Sequence, residues 1–100
     1  MTSYKVYVLP DAWGEIKELP GHMRQRVQRA VAELASEPRP AQSKSLNVAT
    51  TEPELRRLRF DRWRVVYAID DAEPIVDVLA VRKRPPYDYG DLEQLLADFM

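Results

Sequence analysis

The chain has 100 residues, of which 45% are hydrophobic and 31% charged, a size and composition typical of one globular domain spanning residues 1–100. It contains no cysteine and a single histidine, His22, which excludes disulfides, thiol catalysis and a cysteine-based zinc site, so we expect neither a metal nor a cofactor. A net charge of −1 argues against a polycation, and because no membrane span or secretory signal is recognisable, we expect a cytoplasmic protein.

The first elements expected along the chain are a strand and a short helix. Residues 4–9, YKVYVL, are mostly β-branched or aromatic and are followed by Pro10, a pattern that predicts a strand. Asp11 is then the candidate cap of a helix whose apolar residues recur at spacings of three, at Trp13, Ile16 and Leu19. The sequence Leu-Pro-Gly should end this helix.

A second helix and a long loop are expected next. From Met23 to Ala35 the apolar residues recur every three to four positions, which predicts an amphipathic helix. It should form a hairpin with the first helix through Pro20 and Gly21. Residues 37–53 have three prolines and no apolar period, so they predict a loop, and loops of this length in compact domains are often functional.

Three strands and a last helix complete the expected pattern. The strands are predicted at residues 54–60, 63–69 and 75–82, and their short connections imply an antiparallel meander with helices on one face. A C-terminal helix should follow, with Asp88 as its candidate cap and an apolar stripe at Leu92, Leu95, Leu96 and Phe99. The predicted fold class is therefore α+β, in the order β-α-α-β-β-β-α.

Asp61 and Arg62 are the expected tip of a hairpin between the first two strands of the meander. This tip pairs Phe60 with Trp63, Arg59 with Arg64, Leu58 with Val65 and Arg57 with Val66. Alternation then puts Arg57, Arg59 and Arg64 together on one face, which we expect to be a cationic surface, and the apolar residues on the opposite, core face. A slip of one residue would turn the arginines inward.

Cations are concentrated in this part of the chain. Five arginines lie between Arg56 and Arg64, and Arg82, Lys83 and Arg84 add three more cations, whereas the last thirteen residues contain four acids and no base. Two explanations remain open. Nearby acids neutralise the arginines, the candidates being Glu52, Glu54, Asp77 and the acidic last helix. Alternatively, the arginines bind an anion, since the planar guanidinium suits phosphate.

The order of these motifs resembles the RelE/ParE toxin superfamily of bacterial type II toxin–antitoxin systems. The motifs are the strand start YKVYVLPDA, the helix hairpin with LP at its turn, the loop EPRP, the hairpin ELRRLRFDRWRVVYAID and a basic strand end before a tyrosine. Together they cover essentially the whole chain. The resemblance implies a toxin whose partner is a cognate antitoxin protein. It leaves the activity open, because RelE-type members cleave messenger RNA in the ribosomal A site and ParE-type members inhibit DNA gyrase.

For a RelE-type toxin, the resemblance implies an active site formed by Arg57, Arg64, Arg84 and either Tyr87 or Tyr89. Arg59 on the expected cationic face, and Arg82 and Lys83 at the basic strand end, are the candidate RNA-binding or phosphate-binding residues. The sequence departs from the family in two places: Leu55 replaces a lysine of one ribonuclease subgroup, and the tyrosine spacing in RPPYDY is different.

The residue types fit cleavage by a ribose 2′-hydroxyl, which needs a base and cations that stabilise the developing charge. Arginine stays protonated and can serve only as a cation, while the pKa of a tyrosine beside cations shifts in the direction that a base requires. The RelE-type resemblance thus implies a ribosome-dependent endoribonuclease that cleaves translated mRNA. The alternatives are a gyrase inhibitor of the ParE type, or a superfamily member that only binds its antitoxin. The sequence pI of about 5.8 counts against ribosome binding.

Overall fold

The structure, a computed structural model, describes residues 3–46 and 54–83, which form a five-stranded sheet and two helices. In chain order the elements are β1 (Lys5–Val8), α1 (Pro10–Lys17), α2 (Gly21–Glu33), β2 (Lys44–Ser45), β3 (Glu54–Phe60), β4 (Trp63–Asp70) and β5 (Ile75–Lys83). The strands are arranged β1-β5-β4-β3-β2, with β1 parallel to β5 and every other neighbour antiparallel. The α+β class is confirmed. The C-terminal helix expected from Asp88 lies outside the described residues.

The start of α1 differs from the sequence prediction. Pro10 is its first residue, where the fixed φ of proline suits a helix and its missing N–H costs nothing. The N-cap position is Leu9, so the prediction that Asp11 caps this helix is wrong. Asp11 lies in the first turn, where its charge interacts favourably with the helix dipole. Trp13 was expected in the apolar stripe, but 43% of it is exposed.

The predicted helix hairpin is confirmed. Helix α2 begins at Gly21, directly after Pro20, and ends at Glu33, so it starts and stops two residues earlier than predicted. Its apolar period places Met23, Val27 and Val31 in the core. No helix among the described residues is long and apolar enough to span a membrane.

Both faces of the sheet bury apolar residues. The helix-side cluster joins the two helices to the sheet, and its strand members are Leu58, Val65, Tyr67, Ile69, Val76, Val78 and Val81. A second cluster, on the opposite face, comprises Leu46, Leu55, Val66, Ala68, Leu79 and Ala80. Full burial of one Leu or Val side chain stabilises the fold by about 1.5–3 kcal/mol. The central strands are therefore covered on both sides, and the face expected to be only a cationic surface is partly core.

The register of the β3–β4 hairpin is confirmed at all four predicted pairs, from Phe60–Trp63 to Arg57–Val66. Asp61 at its tip has a φ of 54°, a left-handed conformation that aspartate tolerates better than most residues because its short side chain can bond to nearby backbone. The strong apolar alternation on both sides of the tip determines this register.

The segment predicted as a loop contains one short strand. Lys44 and Ser45 form β2, which pairs antiparallel with Arg57 and Arg56 of β3. Residues 47–53 of the predicted loop lie outside the described residues. Two residues are too few to give an alternation signal in the sequence, so only the paired backbone reveals this strand.

Candidate functional site

Five cations occupy two neighbouring rows on the sheet face opposite the helices. The first row crosses β3, β4 and β5 through Arg59, Arg64 and Arg82, which are direct cross-strand partners. The second row begins on β2 with Lys44, which faces Arg57 of β3. The rows are two residues apart along the strands, a separation of about 7 Å. The sheet therefore brings together cations from four different strands.

Exposure divides these cations into two groups. Lys44 and Arg59 are exposed, and the side chain of Arg82 is 41% exposed. Arg57 and Arg64 are buried, with exposed fractions of 9% and 4%. The expectation of an exposed arginine face is therefore wrong for these two residues. The second apolar cluster occupies the same face, and the long arginine stems pack readily against apolar neighbours.

Glu15 of α1 holds the β5 end of the first row. Strand β1 pairs with β5 only as far as Val78, so the edge of β5 beyond that point has no strand neighbour in β1. Glu15 occupies this place: its Oε1 accepts the Val81 N–H at 2.9 Å, and its Oε2 accepts Nε–H of Arg82 at 2.8 Å. One carboxylate thus caps the strand edge and partly neutralises the row.

The structure separates Lys83 from the first row. Lys83 is the cross-strand partner of Trp63, on the helix side of the sheet, and its Nζ lies 5.8 Å from the centre of the Trp63 ring. Alternation along β5 thus places Arg82 with the arginines and Lys83 away from them. The other predicted site residues, Arg84, Tyr87 and Tyr89, lie outside the described residues, and their roles stay predictions.

Sequence reasoning missed Lys44. It lies in the predicted loop, where no apolar period marks a strand, and no motif singles it out. Its position becomes informative only when β2 pairs with β3 and places it opposite Arg57. The sequence offered one indirect signal, a lysine in a long loop preceding an arginine-rich strand.

Arg56 belongs to a different group of contacts from the two rows. Its Nε–H donates to Ser43 Oγ at 2.9 Å and its Nη1–H to Glu54 Oε2, also at 2.9 Å. Arg39 donates Nη2–H bonds to Glu54 Oε1 and Asp71 Oδ2, each at 2.8 Å. These contacts fasten the segment before β2 to the sheet. For Arg56, the explanation that a nearby acid neutralises it is correct.

Hydrogen bonds in this group shift the pKa values of its acids. The bond from Arg39 lowers the pKa of Glu54 below its ordinary value, and Arg56 acts in the same direction. Arg39 also lowers the pKa of Asp71, helped by the hydroxyl of Tyr4, which donates to Asp71 Oδ1 at 2.6 Å. The cluster therefore keeps its carboxylates ionised.

Asp77, an acid on the same sheet face, lies far from the first row. Asp77 is the partner of Ala68, four residues along β4 from Arg64, or about 13 Å. Burial, and then the neighbouring charge of Asp70, raise the pKa of Asp77. Asp77 was a candidate to neutralise the arginines, and its distance along the strands makes it unsuitable for those of the first row. Among the described residues, no group of three or more His, Asp or Glu side chains could hold a metal ion.

Comparison with known families and structures identifies relatives of this chain. Residues 6–85 match the family described as the ParE toxin of type II toxin–antitoxin systems, parDE. No curated protein gives a significant match.

Several solved structures share the fold. The chain is similar to one in the archaeal RelE–RelB complex from Pyrococcus horikoshii OT3, with 23% identity, a TM-score of 0.74, and coverage of 87% of this chain and 100% of that one. It is similar to one in the toxin–antitoxin complex RelBE2 of Mycobacterium tuberculosis, with 25% identity, a TM-score of 0.68, and coverage of 82% and 99%. For the isolated E. coli RelE toxin the identity is 17%, the TM-score 0.68, and the coverage 98% and 100%.

Proposed function

The chain belongs to the ParE toxin family of type II toxin–antitoxin systems and is the toxin of such a pair, and we propose that it acts as a ribosome-dependent endoribonuclease on translated mRNA. The observation that carries this proposal is the first row, in which Arg59, Arg64 and Arg82 lie side by side across three strands. Three guanidinium groups in neighbouring positions complement a ligand that carries several negative charges.

In RNA cleavage, the first row would stabilise the negative charge that develops on the phosphate. A phosphate held beside Arg59 and Arg82 gains charge in the transition state, and fixed guanidinium groups stabilise that charge. Arg64 is buried, and a cation in a poorly solvated environment interacts more strongly with a nearby anion than one in water. In this proposal Arg84 is a further phosphate-binding cation, and Tyr87 or Tyr89 is the base that accepts the 2′-hydroxyl proton.

The partners in this proposal are the cognate antitoxin, the ribosome and mRNA. The RelE–RelB and RelBE2 structures are described as complexes of toxin and antitoxin, which supports a protein partner of the same kind for this chain. The ribosome and mRNA follow from the proposed reaction. Phosphate-rich RNA complements the two rows of cations.

The decisive experiment is brief induction in cells, followed by primer extension on several mRNAs and by measurement of plasmid supercoiling. We expect cuts inside translated frames and unchanged supercoiling. Arg59→Ala should reduce cutting, because it removes an exposed cation of the first row, while Arg29→Ala should not, because Arg29 is an exposed arginine on α2. Absence of cuts from the wild-type protein would contradict the proposal.

A second candidate function is inhibition of DNA gyrase without cleavage. The family match, which is described as a ParE toxin, favours it, as does the partial neutralisation of Arg82 by Glu15. A toxin that only binds a protein does not need several side chains that bind the same phosphate, so neutralisation of one arginine is compatible with this function. Loss of supercoiling without mRNA cuts in the same experiment would support this candidate.

A further inference from the structure

A pocket of about 340 Å³ opens between the end of α2, the segment that follows it and β3. The pocket lies on the helix side of the sheet, because its strand residue, Leu58, belongs to the helix-side cluster. Side chains alternate along β3, so Arg57 and Arg59 point to the other face. The pocket is therefore separated by the sheet from both rows of cations.

Much of the pocket wall is apolar. Leu34 and Leu58 are each 1% exposed, and Ala30 and Pro40 are half-buried beside them. Pockets that bind ligands typically have volumes of about 300–1,000 Å³ and mostly apolar walls with a few placed polar groups. An occupant with an apolar part would be stabilised here, because it would remove the exposed parts of this wall from water.

Two carboxylates, those of Glu33 and Glu37, supply the charge of the pocket. Both residues are exposed, and within residues 3–46 and 54–83 neither forms an ion pair. Backbone contacts fix their relative position: the Glu37 N–H donates to the Glu33 carbonyl oxygen at 3.0 Å. Oε1 of Glu37 accepts the Arg39 N–H at 3.1 Å, which also orients the carboxylate. Of the described residues that line the pocket, none is cationic.

The end of α2 adds to the negative potential of the pocket. The helix ends at Glu33 and has no basic residue in its last turn. The C-terminal end of a helix carries a partial negative charge, which a nearby cation stabilises. Here an acid takes that position instead. The helix end and the two carboxylates therefore favour a cation in this pocket and disfavour a phosphate.

We propose that this pocket binds an arginine or lysine side chain of another protein, whose apolar neighbouring residues cover the apolar wall. Such a side chain joins an apolar stem to a cationic head, and this combination matches a wall of leucine, alanine and proline beside two carboxylates. RNA is excluded as the occupant by charge, because its phosphates would be repelled. Since the pocket and the rows of cations lie on opposite sides of the sheet, this inference does not rest on the proposed function.

The test measures the binding of the tripeptide Leu-Arg-Leu, acetylated and amidated so that only arginine is charged, to the isotope-labelled protein by NMR. We expect saturable shifts of the backbone amide signals of Leu34, Glu37 and Gln42. The same tripeptide with citrulline in place of arginine has nearly the same shape but no charge, so it should bind several-fold more weakly. Propylguanidinium, the arginine side chain alone, should also bind more weakly, because it lacks the apolar neighbours.

Variants of the two acids connect the binding to the pocket. Glu33→Gln and Glu37→Gln keep the shape of the side chain and remove one charge, so each should weaken tripeptide binding by about two- to five-fold, as for an exposed ion pair. Gln42→Lys brings a competing cation to the pocket and should also weaken binding. Glu18→Gln is the matched control, because Glu18 is an exposed glutamate beyond the end of α1, and this variant should bind like wild type.

Four outcomes would overturn the proposal. The first is the absence of saturable shifts, and the second is equal binding of the arginine and citrulline tripeptides. Propylguanidinium binding as tightly as the tripeptide would assign the pocket to a small free cation. Self-association of the wild type that Glu33→Gln abolishes would assign it to a second copy of this chain. A loss of binding in Glu33→Gln and Glu37→Gln, with wild-type binding in Glu18→Gln, would support it.

Discussion

Glu15 and Arg82 are 67 residues apart in sequence and form an ion pair, with 2.8 Å between Oε2 and Nε. The same carboxylate accepts the backbone N–H of Val81, so it replaces the strand neighbour that β1 is too short to provide. Through this residue, α1 both satisfies a backbone N–H at the edge of β5 and fixes the position of Arg82 in the first row. The stability of the edge and the electrostatics of the row therefore depend on one residue.

Removing the charge of Glu15 and removing its side chain should have different effects. In Glu15→Gln the amide oxygen can still accept the Val81 N–H, and only the partly exposed ion pair is lost, which costs about 1 kcal/mol or less. In Glu15→Ala the Val81 N–H also loses its acceptor, which adds about 1–3 kcal/mol. Urea denaturation measures both, with Glu18→Gln, an exposed residue beyond the end of α1, as the control. Equal stability of the two Glu15 variants would contradict the edge-capping role.

Truncating Arg64 should destabilise the protein, and truncating its neighbour Arg59 should not. Arg64 is 4% exposed, so Arg64→Ala removes a packed stem and leaves a cavity, at a cost of about 2 kcal/mol or more. Arg59 is exposed, so Arg59→Ala should change the free energy of unfolding by about 0.5 kcal/mol or less. Denaturation curves for both variants, compared with wild type, provide the measurement. If Arg64→Ala were as stable as Arg59→Ala, the side chain of Arg64 would not be packed in solution.

Glu54 should stabilise the protein at neutral pH and lose this effect in acid. Its pKa is lowered by the hydrogen bond from Arg39, so its folded pKa lies below the unfolded value of about 4.3. The contribution is therefore fully present above the unfolded pKa and disappears as the pH falls through the folded pKa. The free energy of unfolding of wild type should exceed that of Glu54→Gln near pH 7, and the difference should shrink below about pH 4. Glu73→Gln, at an exposed turn residue, is the control, and a pH-independent difference for Glu54→Gln would be inconsistent with the ion pair.

The hydroxyl of Tyr67 should contribute measurably to stability. Tyr67 is fully buried, and its hydroxyl donates to the Pro38 carbonyl oxygen at 2.8 Å, fastening the segment after α2 to β4. Tyr67→Phe leaves that carbonyl without this donor, at a cost of about 1–3 kcal/mol. Tyr4→Phe is the matched change at an exposed hydroxyl and should cost less, since water can replace the lost partner. Both values come from urea denaturation, and a cost for Tyr4→Phe equal to or larger than that for Tyr67→Phe would contradict this account.

The sequence by itself determined the β3–β4 hairpin and the helix hairpin. Between Arg57 and Val65, apolar and charged residues alternate around a two-residue tip, so only one register places the apolar residues of this stretch together on the helix side. The apolar period of α2 likewise determines which face contacts the sheet, and Met23, Val27 and Val31 are among the residues of that period and are buried. These features depend on residues that are close to one another in the sequence, and such local patterns can be recognised in a single sequence.

The tertiary structure decided where the cations lie relative to solvent and to one another. Nothing in the sequence near Lys44 indicates a strand. Lys44 lies opposite Arg57 only because β2 pairs with β3. The burial of Arg64 depends on a second apolar cluster that draws residues from several strands. Glu15 reaches Arg82 only because α1 follows a strand that docks parallel to β5. Each of these contacts joins residues distant in sequence, and their free energies become available only when the whole sheet assembles.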